Sequence, residues 1–355
     1  MNIHRVQDFV VKDKEVFVGL EDSKKTWKLA VRCERMLIHR ASMEAKYPVL
    51  VRYLRNNFPE CRVHVIYEAG FKGFNLFDRL TEDGIDCVVI PAHMVTEPKV
   101  NRVKTDKRDA NRLALILENH DFRDACHVPD RERREDRQVS RTLIGIQKDI
   151  IRTRNRIHRL LEFHGIEVSF ATRGRKGFQS LKKLTLSEPL RMSLDILLAQ
   201  LEQLWAHQVS LRAALRAMGR KERYRRAFEI ARSLPGIGWA TAIRLILELG
   251  EDLSHFTTGK KIASFVGLTC SEYSSGETER KGCITGMGSG FLRSTLVENS
   301  WVAIRRDPVL LAKFSRVWRA SGSKKKAIVA VARMLIVRLR ACVVMGTPYV
   351  MGTVR

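Results

Sequence analysis

The chain lacks the features that would indicate a membrane or secreted protein. No apolar run is long enough to span a bilayer, and the N-terminal stretch MNIHRVQDFVVKDKEV has no apolar core of a signal peptide. No Cys-x-x-Cys pair occurs, and the seven cysteines are dispersed singly, at positions 33, 61, 87, 126, 270, 283 and 342. We therefore expect reduced thiols, no structural zinc site and a cytoplasmic location.

Acidic residues are also scarce. The 355 residues include 39 Asp and Glu against 64 Lys and Arg, which gives a formal net charge of +25 and a pI near 10.2. A charge of this size favours a polyanionic partner, and nucleic acid is the first candidate. A membrane surface is the second candidate, but without a spanning segment we expect no membrane partner.

Residues 1–130 have the pattern of an α/β domain. Period-two alternation predicts three consecutive strands, after which two more strands alternate with helices. Consecutive hairpins imply antiparallel pairing, whereas strands separated by helices imply parallel pairing. The expected fold is a mixed five-stranded sheet flanked by helices, the ribonuclease-H-like arrangement. The predicted strands are 15–20, 27–33, 36–41, 62–68 and 85–90, with helices at 45–57, at 74–82 and from 104 onward.

Residues 131–224 predict two long helices. Apolar residues recur at steps of three and four from Val139 to His164 and again from Leu194 to Met218, and arginines are dense between them in the first run. We interpret this region as a central antiparallel coiled-coil hairpin, its helices joined by a loop, that serves as a dimerisation arm. The core of an ordinary helical bundle is the alternative.

Residues 225–345 predict a mainly helical C-terminal domain, followed by a tail at 346–355. The sequence LPGIG (234–238) lies between two apolar helical segments, which is typical of a helix–hairpin–helix. In that motif, backbone N–H groups at Gly236 and Gly238 can approach a phosphate. Residues 267–290 are rich in Gly, Ser and Thr and predict a hairpin or extended loop.

Acidic residues of the first domain are expected to meet at one place. In KTDKRDA (104–110), Asp106 and Asp109 are three residues apart, so a helix would present both on one face. Glu21 or Asp22 ends the first predicted strand, and Glu68 ends the fourth. Such a set suits two divalent cations, Mg²⁺ or Mn²⁺, and phosphoryl transfer. Taken singly, these acids could be solvated strand ends or a solvated helix N-terminus. That alternative is weaker for Glu68, which follows a strongly apolar strand and precedes Gly70.

Motifs over nearly the whole chain resemble the DEDD-type insertion-sequence transposases, the bridge-RNA-guided recombinases of bacteria and archaea. The most specific are KTDKRDA and the YSSGET that ends at residue 278; the others are GLEDSKKTW (19–27), YEAGFKG (67–73), SLPGIG (233–238), KGCITGMG (281–288) and KKKAIVAVARML (324–335). The resemblance implies DNA strand cleavage and transfer, a structured guide RNA, a homo-oligomer (dimer or tetramer) and a nucleoid-associated protein.

The resemblance also implies a metal site. Its ligands would be Glu68, Asp106, Asp109 and a first residue that is usually Asp in this family. Glu21 occupies that position here, and Asp22 beside it is the alternative. Glu can still bind Mg²⁺, but its additional methylene displaces the carboxylate.

The Ser-Gly pair of the family implies a nucleophile at Ser275, which precedes Gly276. A hydroxyl needs a base or a metal to become nucleophilic. In this family the carboxylate site of a different subunit supplies that activation, so the active site is composite. Ser274 is the alternative nucleophile, and a turn serine without catalytic role is the alternative for Ser275.

Basic residues near these motifs are predicted phosphate contacts, although each could be a solvated surface charge. They are Lys104, Arg280, Lys281, Arg293, Lys324, Lys325 and Lys326, and Gly236 and Gly238 complete the predicted nucleic-acid-binding set.

The sequence thus predicts a transposase-recombinase that moves its own element with the help of a guide RNA. The first alternative is a metal-dependent, junction-resolving nuclease in which water is the nucleophile and Ser275 is structural. The second is a non-catalytic nucleic-acid-binding protein with a decayed site, which Glu at the first ligand position would permit.

Overall fold

The computed structural model describes residues 11–91, 106–122, 125–167, 175–275 and 278–352. The side chains of 106–107, 175–176 and 273–281 lie outside the described part. The chain forms two compact units, residues 1–128 and 129–355, and each is described by itself.

The first unit is a mixed five-stranded sheet with three helices. Its elements are β1 (Glu15–Glu21), β2 (Thr26–Cys33), β3 (Met36–Glu44), α1 (Tyr47–Asn57), β4 (Arg62–Glu68), α2 (Asn75–Glu82), β5 (Asp86–Ile90) and α3 (Asp106–Glu118). The strand order is β3-β2-β1-β4-β5. β2 pairs antiparallel with β1 on one side and with β3 on the other. β4 pairs parallel with β1 on one side and with β5 on the other. The predicted mixed sheet is confirmed, and its order is consistent with a ribonuclease-H-like domain.

Both faces of the central strand β1 are buried because helices cover the sheet on both sides. Val16, Val18 and Leu20 pack with side chains of α1 and α2 in one core. Phe17, on the opposite face, packs with apolar residues of α3 in another. The sheet therefore has an α1/α2 face and an α3 face, and the odd-numbered residues of β1 belong to the α3 face.

The second unit is helical apart from one hairpin. Its elements are α4 (Arg131–Phe163), α5 (Arg175–Lys182), α6 (Glu188–Met218), α7 (Glu222–Ser233), α8 (Trp239–Leu249), α9 (Gly259–Phe265), β6 (Cys270–Ser275), β7 (Thr278–Ile284), α10 (Gly290–Ala303), α11 (Pro308–Ser321) and α12 (Lys324–Met345). The hairpin predicted within 267–290 is confirmed as the antiparallel pair β6–β7. None of the described helices combines the length and apolar character that a bilayer crossing requires.

The two long predicted helices are α4 and α6, which pack against each other. Leu161 near the end of α4 shares a core with Leu194 near the start of α6, while Leu143 and Leu215 share another, so the helices run antiparallel. A coiled-coil geometry and a role in dimerisation stay predictions. The expectation of a plain connecting loop was wrong, because α5 buries Phe178 in the core between the long helices.

The end of the chain is held against the second unit. The backbone N–H of Tyr349 donates to Ser233 Oγ at 2.7 Å, and its hydroxyl donates to buried Asp307. Asp307 also caps α11 by accepting from Val309 N at 2.8 Å. Residues 347–352 follow the last helix without further helix or strand, and Tyr349 ties them to the second unit. All seven cysteines are free, as expected.

Candidate active site at the carboxyl edge of the sheet

Two of the predicted metal ligands end neighbouring parallel strands. Glu21 is the last residue of β1 and Glu68 the last of β4. The registered pair Leu20–Tyr67 lies one residue before them, so the two glutamates end side by side. Side chains two residues apart in a strand lie on the same face of the sheet. Glu21 therefore shares a face with Gly19, and Glu68 shares a face with Ile66, which packs with α3 residues. Both glutamates therefore belong to the same edge and the same face of the sheet.

The direction of α3 brings its first turn to this edge. At its C-terminal end, Glu118 accepts hydrogen bonds from Arg32 Nε and Arg35 N, both at 2.6 Å. Arg32 is registered with Phe17, near the start of β1. In its middle, α3 passes over Gly19, where a Cβ would lie 2.0 Å from the Ala110 carbonyl oxygen. The helix thus runs opposite to β1, and its start lies where β1 ends.

The rises of strand and helix agree with this placement. From Gly19 to Glu21, β1 advances about 6.6 Å, and from Ala110 back to Asp106, α3 advances about 6 Å. Asp109 is half-buried, one residue before the contact with Gly19. Asp106 begins the helix, and its side chain lies outside the described part.

Asp22, the alternative first ligand, is engaged elsewhere. Its carboxylate accepts from Trp27 Nε1 at 2.5 Å and from Lys72 Nζ at 2.7 Å, and only 7% of its side chain is exposed. Trp27 belongs to the core of the α1/α2 face, on the opposite side of the sheet. This arrangement favours Glu21 as the first ligand, although the assignment stays a prediction.

The acidic donors fit a hard divalent cation in chemistry, because carboxylate oxygens are the ligands that Mg²⁺ and Mn²⁺ prefer. Among the side chains that the structure describes, no three His, Cys, Asp or Glu lie close enough together to hold a metal ion. Glu21, Glu68 and Asp109 therefore do not complete a site by themselves. Asp106 is the fourth carboxylate of the predicted ligand set.

The predicted nucleophile lies at the tip of the β6–β7 hairpin. Ser275 is the last residue of β6 and is registered with Thr278, and Ser274 is registered with Glu279. The side chains of both serines lie outside the described part. The base of the hairpin is tight: a Cβ on Gly288 would lie 2.6 Å from Gly267 N. The backbone of Ser274 and Ser275 therefore belongs to a hairpin with a closely packed base.

Two of the predicted phosphate contacts have packing roles. Arg293 Nη1 donates to the Gly267 carbonyl oxygen at 3.3 Å, which ties α10 to the base of the hairpin. Gly236 has φ of +79°, and a Cβ on it would lie 2.4 Å from the Asn299 carbonyl oxygen of α10. A side chain at Gly236 would therefore disrupt helix packing whether or not DNA binds there. Gly238, by contrast, is exposed at the N-terminus of α8 with no atom within 4 Å of a Cβ.

The three consecutive lysines 324–326 are exposed in the first turn of α12. Ser323 caps this helix by accepting from Lys326 N at 3.4 Å. Cations at a helix N-terminus oppose the helix dipole, so their cluster here is not explained by helix stability. A bound anion would offset both the lysine charges and the dipole. The backbones of Arg280 and Lys281 lie in β7, but their side chains, and all of Lys104, lie outside the described residues.

Sequence reasoning assigned no role to several residues that shape this edge. Gly19 permits the close approach of α3, Lys72 neutralises Asp22, and Phe71 is 74% exposed beside them. A glycine inside an apolar strand is a sequence signal for close backbone approach, and it could have identified Gly19. The pairing of Lys72 with Asp22 joins positions 50 residues apart and leaves no such signal.

Comparisons with known proteins identify the family. Residues 9–166 match a family model for transposases of the DEDD IS110 type. Residues 228–315 match the model described as transposase of the IS116/IS110/IS902 family. The chain belongs to the IS110/IS116 family of DEDD transposases. The first match contains all four predicted metal-ligand positions, and the second contains the β6–β7 hairpin.

Individual relatives of this transposase span both units. A candidate transposase of Sinorhizobium fredii, y4rJ, is 28% identical over 91% of this chain and 90% of its own length. A second from the same organism, y4qE, is 25% identical over 74% of this chain and 64% of its own length. The transposase for insertion sequence element IS1533 of Leptospira borgpetersenii is 24% identical over 73% of this chain and 76% of its own length.

Proposed function

We propose that this transposase cleaves and rejoins DNA to excise and insert its own mobile element, guided by a structured RNA. In this proposal a divalent metal site at the carboxyl edge of the sheet and a serine nucleophile, Ser275, act on the same DNA phosphate. The observation that supports the proposal most is that Glu21, Glu68 and the first turn of α3 converge on one edge and one face of the sheet.

The proposed role of the acids is to hold one or two Mg²⁺ or Mn²⁺ ions. Glu21, Glu68, Asp106 and Asp109 would be the ligands. Such ions, when bound, stabilise the negative charge that develops on the attacking and leaving oxygens in phosphoryl transfer. The chain's own contribution is placement: two strand ends and one helix start fix the carboxylates relative to one another, so little reorganisation is needed when substrate binds.

The proposed role of Ser275 is covalent. Its Oγ forms a bond to the DNA phosphorus, the phosphodiester P–O bond breaks, and the released DNA oxygen departs as a hydroxyl after taking a proton. The serine proton passes to a base at the site. Because a phosphoserine conserves the phosphodiester bond, a DNA hydroxyl can attack it in the reverse sense and rejoin the strands without an energy-rich cofactor.

The proposed nucleic-acid contacts follow the charge of the chain. A net charge of +25 is larger than the phosphate contacts of a single short DNA site require, and it suits binding of both RNA and DNA. Among the described residues of the proposed set, lysines 324–326 and Gly238 are the exposed ones. Lys104, Gly236, Arg280, Lys281 and Arg293 complete the proposed set. Homo-oligomer formation is also proposed.

Two measurements on the purified full-length protein test this function. The first is sequencing of RNA that copurifies with it. Discrete transcripts from the flank of the protein's own element are expected, and absence of any specific RNA would contradict guidance. The second is cleavage of element-end DNA in the presence of that RNA, which we expect with Mg²⁺ or Mn²⁺ but not with EDTA. Cleavage in EDTA would contradict the metal site and leave RNA guidance untouched.

A further inference from the structure

An aromatic side chain is exposed to solvent in the turn that follows β4. Phe71 is 74% exposed, although burial of such a ring is normally favourable. It follows Glu68 by three residues, so their Cα atoms are at most about 11 Å apart. It occupies the first corner of a β-turn that is closed by a hydrogen bond from Gly73 N to the Gly70 carbonyl oxygen at 3.2 Å.

The turn is anchored by its second corner residue. Lys72 Nζ donates to Asp22 Oδ1 and to the Ser23 carbonyl oxygen, both at 2.7 Å. The same ammonium lies 5.1 Å from the ring centroid of buried Trp27. Asp22 and Ser23 follow directly on Glu21, so this contact fastens the turn across the ends of β1 and β4. Phe71 is therefore presented from a fixed support.

The surroundings of Phe71 select the chemistry of its partner. The ring lies 5.9 Å from the Lys72 ammonium, and its turn begins two residues after Glu68, one of the carboxylates proposed to bind metal. A nucleotide whose phosphate lies at that edge places its base within a few ångströms of the phosphate, and the flat face of a base is complementary to an aromatic ring. An aliphatic partner would bury the ring but would not match its flat face.

We propose that Phe71 stacks on an unpaired nucleobase that flanks the phosphate bound at the carboxylate edge. This inference rests on the proposed function, because it takes the edge to be the place where DNA is cut. A base can stack on Phe71 only when it has left its own duplex stack. The site therefore prefers DNA that is single-stranded, gapped or branched at the position of cleavage over an intact duplex.

The test is binding of a short DNA with 2-aminopurine in a single-stranded gap, measured by fluorescence in Ca²⁺ with the full-length protein. Phe71→Ala is expected to weaken binding about 5- to 150-fold, the range for loss of one base–aromatic stack, and to abolish the quenching of 2-aminopurine. Phe71→Trp and Phe71→Tyr should restore both, whereas Phe71→Leu, which is apolar but not aromatic, should restore neither. Phe163→Ala removes an 85% exposed ring at the end of α4 and is the matched control.

Equal binding by wild type and Phe71→Ala, or full rescue by Phe71→Leu, would overturn the proposal. Thermal melting of each variant checks the fold, and at an exposed position no change is expected. Because binding is measured in Ca²⁺, it does not require cleavage. Loss of stacking in Phe71→Ala would therefore stand even if cleavage proved independent of Ser275, so the two proposals fail separately.

Discussion

Gly19 of β1 and Ala110 of α3 lie in direct backbone contact. A Cβ atom on Gly19 would be 2.0 Å from the Ala110 carbonyl oxygen and 2.4 Å from Ala114 N. Ala30, Ala110 and Ala114 are all buried in one small cluster, so the helix rests on the sheet through residues with minimal side chains. This contact fixes the height of α3 above the sheet and thereby the position of Asp109 and Asp106 relative to Glu21.

Gly19→Ala should therefore displace α3. The atoms in the way belong to backbone, which cannot move aside as a flexible side chain could, so we expect a loss of about 1–3 kcal/mol in the free energy of unfolding. Cleavage should fall further than the stability loss explains, because the carboxylates no longer align. Urea denaturation and cleavage of the same preparation measure both effects. Gly145→Ala in α4, where the added Cβ meets no atom within 4 Å, is the control and should stabilise by about 0.5–1 kcal/mol.

A metal titration should distinguish the role of Glu21 from that of Asp22. Glu21→Gln should weaken Mn²⁺ binding by at least about tenfold in calorimetry, because it removes a proposed ligand at the strand end. Asp22→Asn should leave Mn²⁺ affinity unchanged but lower the melting temperature, because it deprives Lys72 of its buried partner. The reverse pattern, with metal binding lost only in Asp22→Asn, would assign the first ligand to Asp22.

Much of the first unit follows from sequence because its signals are local. The strand predicted at 62–68 is β4 as observed, since its β-branched and aromatic residues favour a strand and Gly70 interrupts the pattern soon after Glu68. The parallel pairing of β1 with β4 follows from the intervening helix. The same rules place Glu21 and Glu68 together, because both simply end neighbouring strands.

What sequence could not supply are contacts between distant positions. Arg32 binds Glu118 across 86 residues, and Lys72 binds Asp22 across 50. Nothing in the local pattern distinguishes these charges from solvated ones. The short helix α5 was missed for a related reason. Glycines and basic residues surround it in the sequence, and burial of Phe178 and Leu181 against α4 and α6 explains its stability.

The pair Arg32–Glu118 should be a strong structural contact. The two side chains are 12% and 6% exposed, and Glu118 also accepts from Arg35 N. Glu34 and Arg35 form the β2–β3 turn with φ of +48° and +65°, a left-handed conformation that favours glycine. Glu118 therefore holds a strained turn to the end of α3.

Glu118→Ala should cost about 3–5 kcal/mol in the free energy of unfolding, since it leaves Arg32 buried without its partner. Glu118→Gln should cost less, because the amide oxygen can still accept one hydrogen bond. Chemical denaturation provides the values. Glu60→Ala breaks a pair with Lys12 whose side chains are 63% and 65% exposed, and it should cost no more than about 1 kcal/mol. Equal costs for the buried and the exposed pair would contradict the structural role of Glu118.

Asp130 should make the stability of the second unit dependent on pH. The Arg223 guanidinium, hydrogen-bonded to its carboxylate, holds the pKa of Asp130 well below its usual range. A folded-state pKa below the unfolded value of about 3.9 stabilises the fold above that pH, and the stabilisation is lost as pH falls through the folded-state pKa. The side chain is 50% exposed, so solvent screening limits the contribution to less than about 1 kcal/mol.

Asp130→Asn tests this contribution, because Asn still caps α4, where Asp130 accepts from Arg133 N at 2.9 Å. The melting temperatures of wild type and Asp130→Asn should differ at pH 7, and the difference should shrink progressively as the pH falls below about 4. Asp130→Ala should lose about 1 kcal/mol more at either pH through loss of the cap. A difference between wild type and Asp130→Asn that persists unchanged in acid would show that its origin is not the carboxylate charge.

The central claim is that Ser275 and the acids of the carboxyl edge act together in DNA strand exchange. Denaturing gels of the full-length protein with labelled element-end DNA and copurified RNA test it most directly, since a phosphoserine link appears as a protein–DNA adduct. We expect the adduct in wild type and in Ser274→Ala, none in Ser275→Ala, and no strand cleavage in Asp106→Asn or Asp109→Asn. Undiminished cleavage by Ser275→Ala would contradict the account and assign the attack to water.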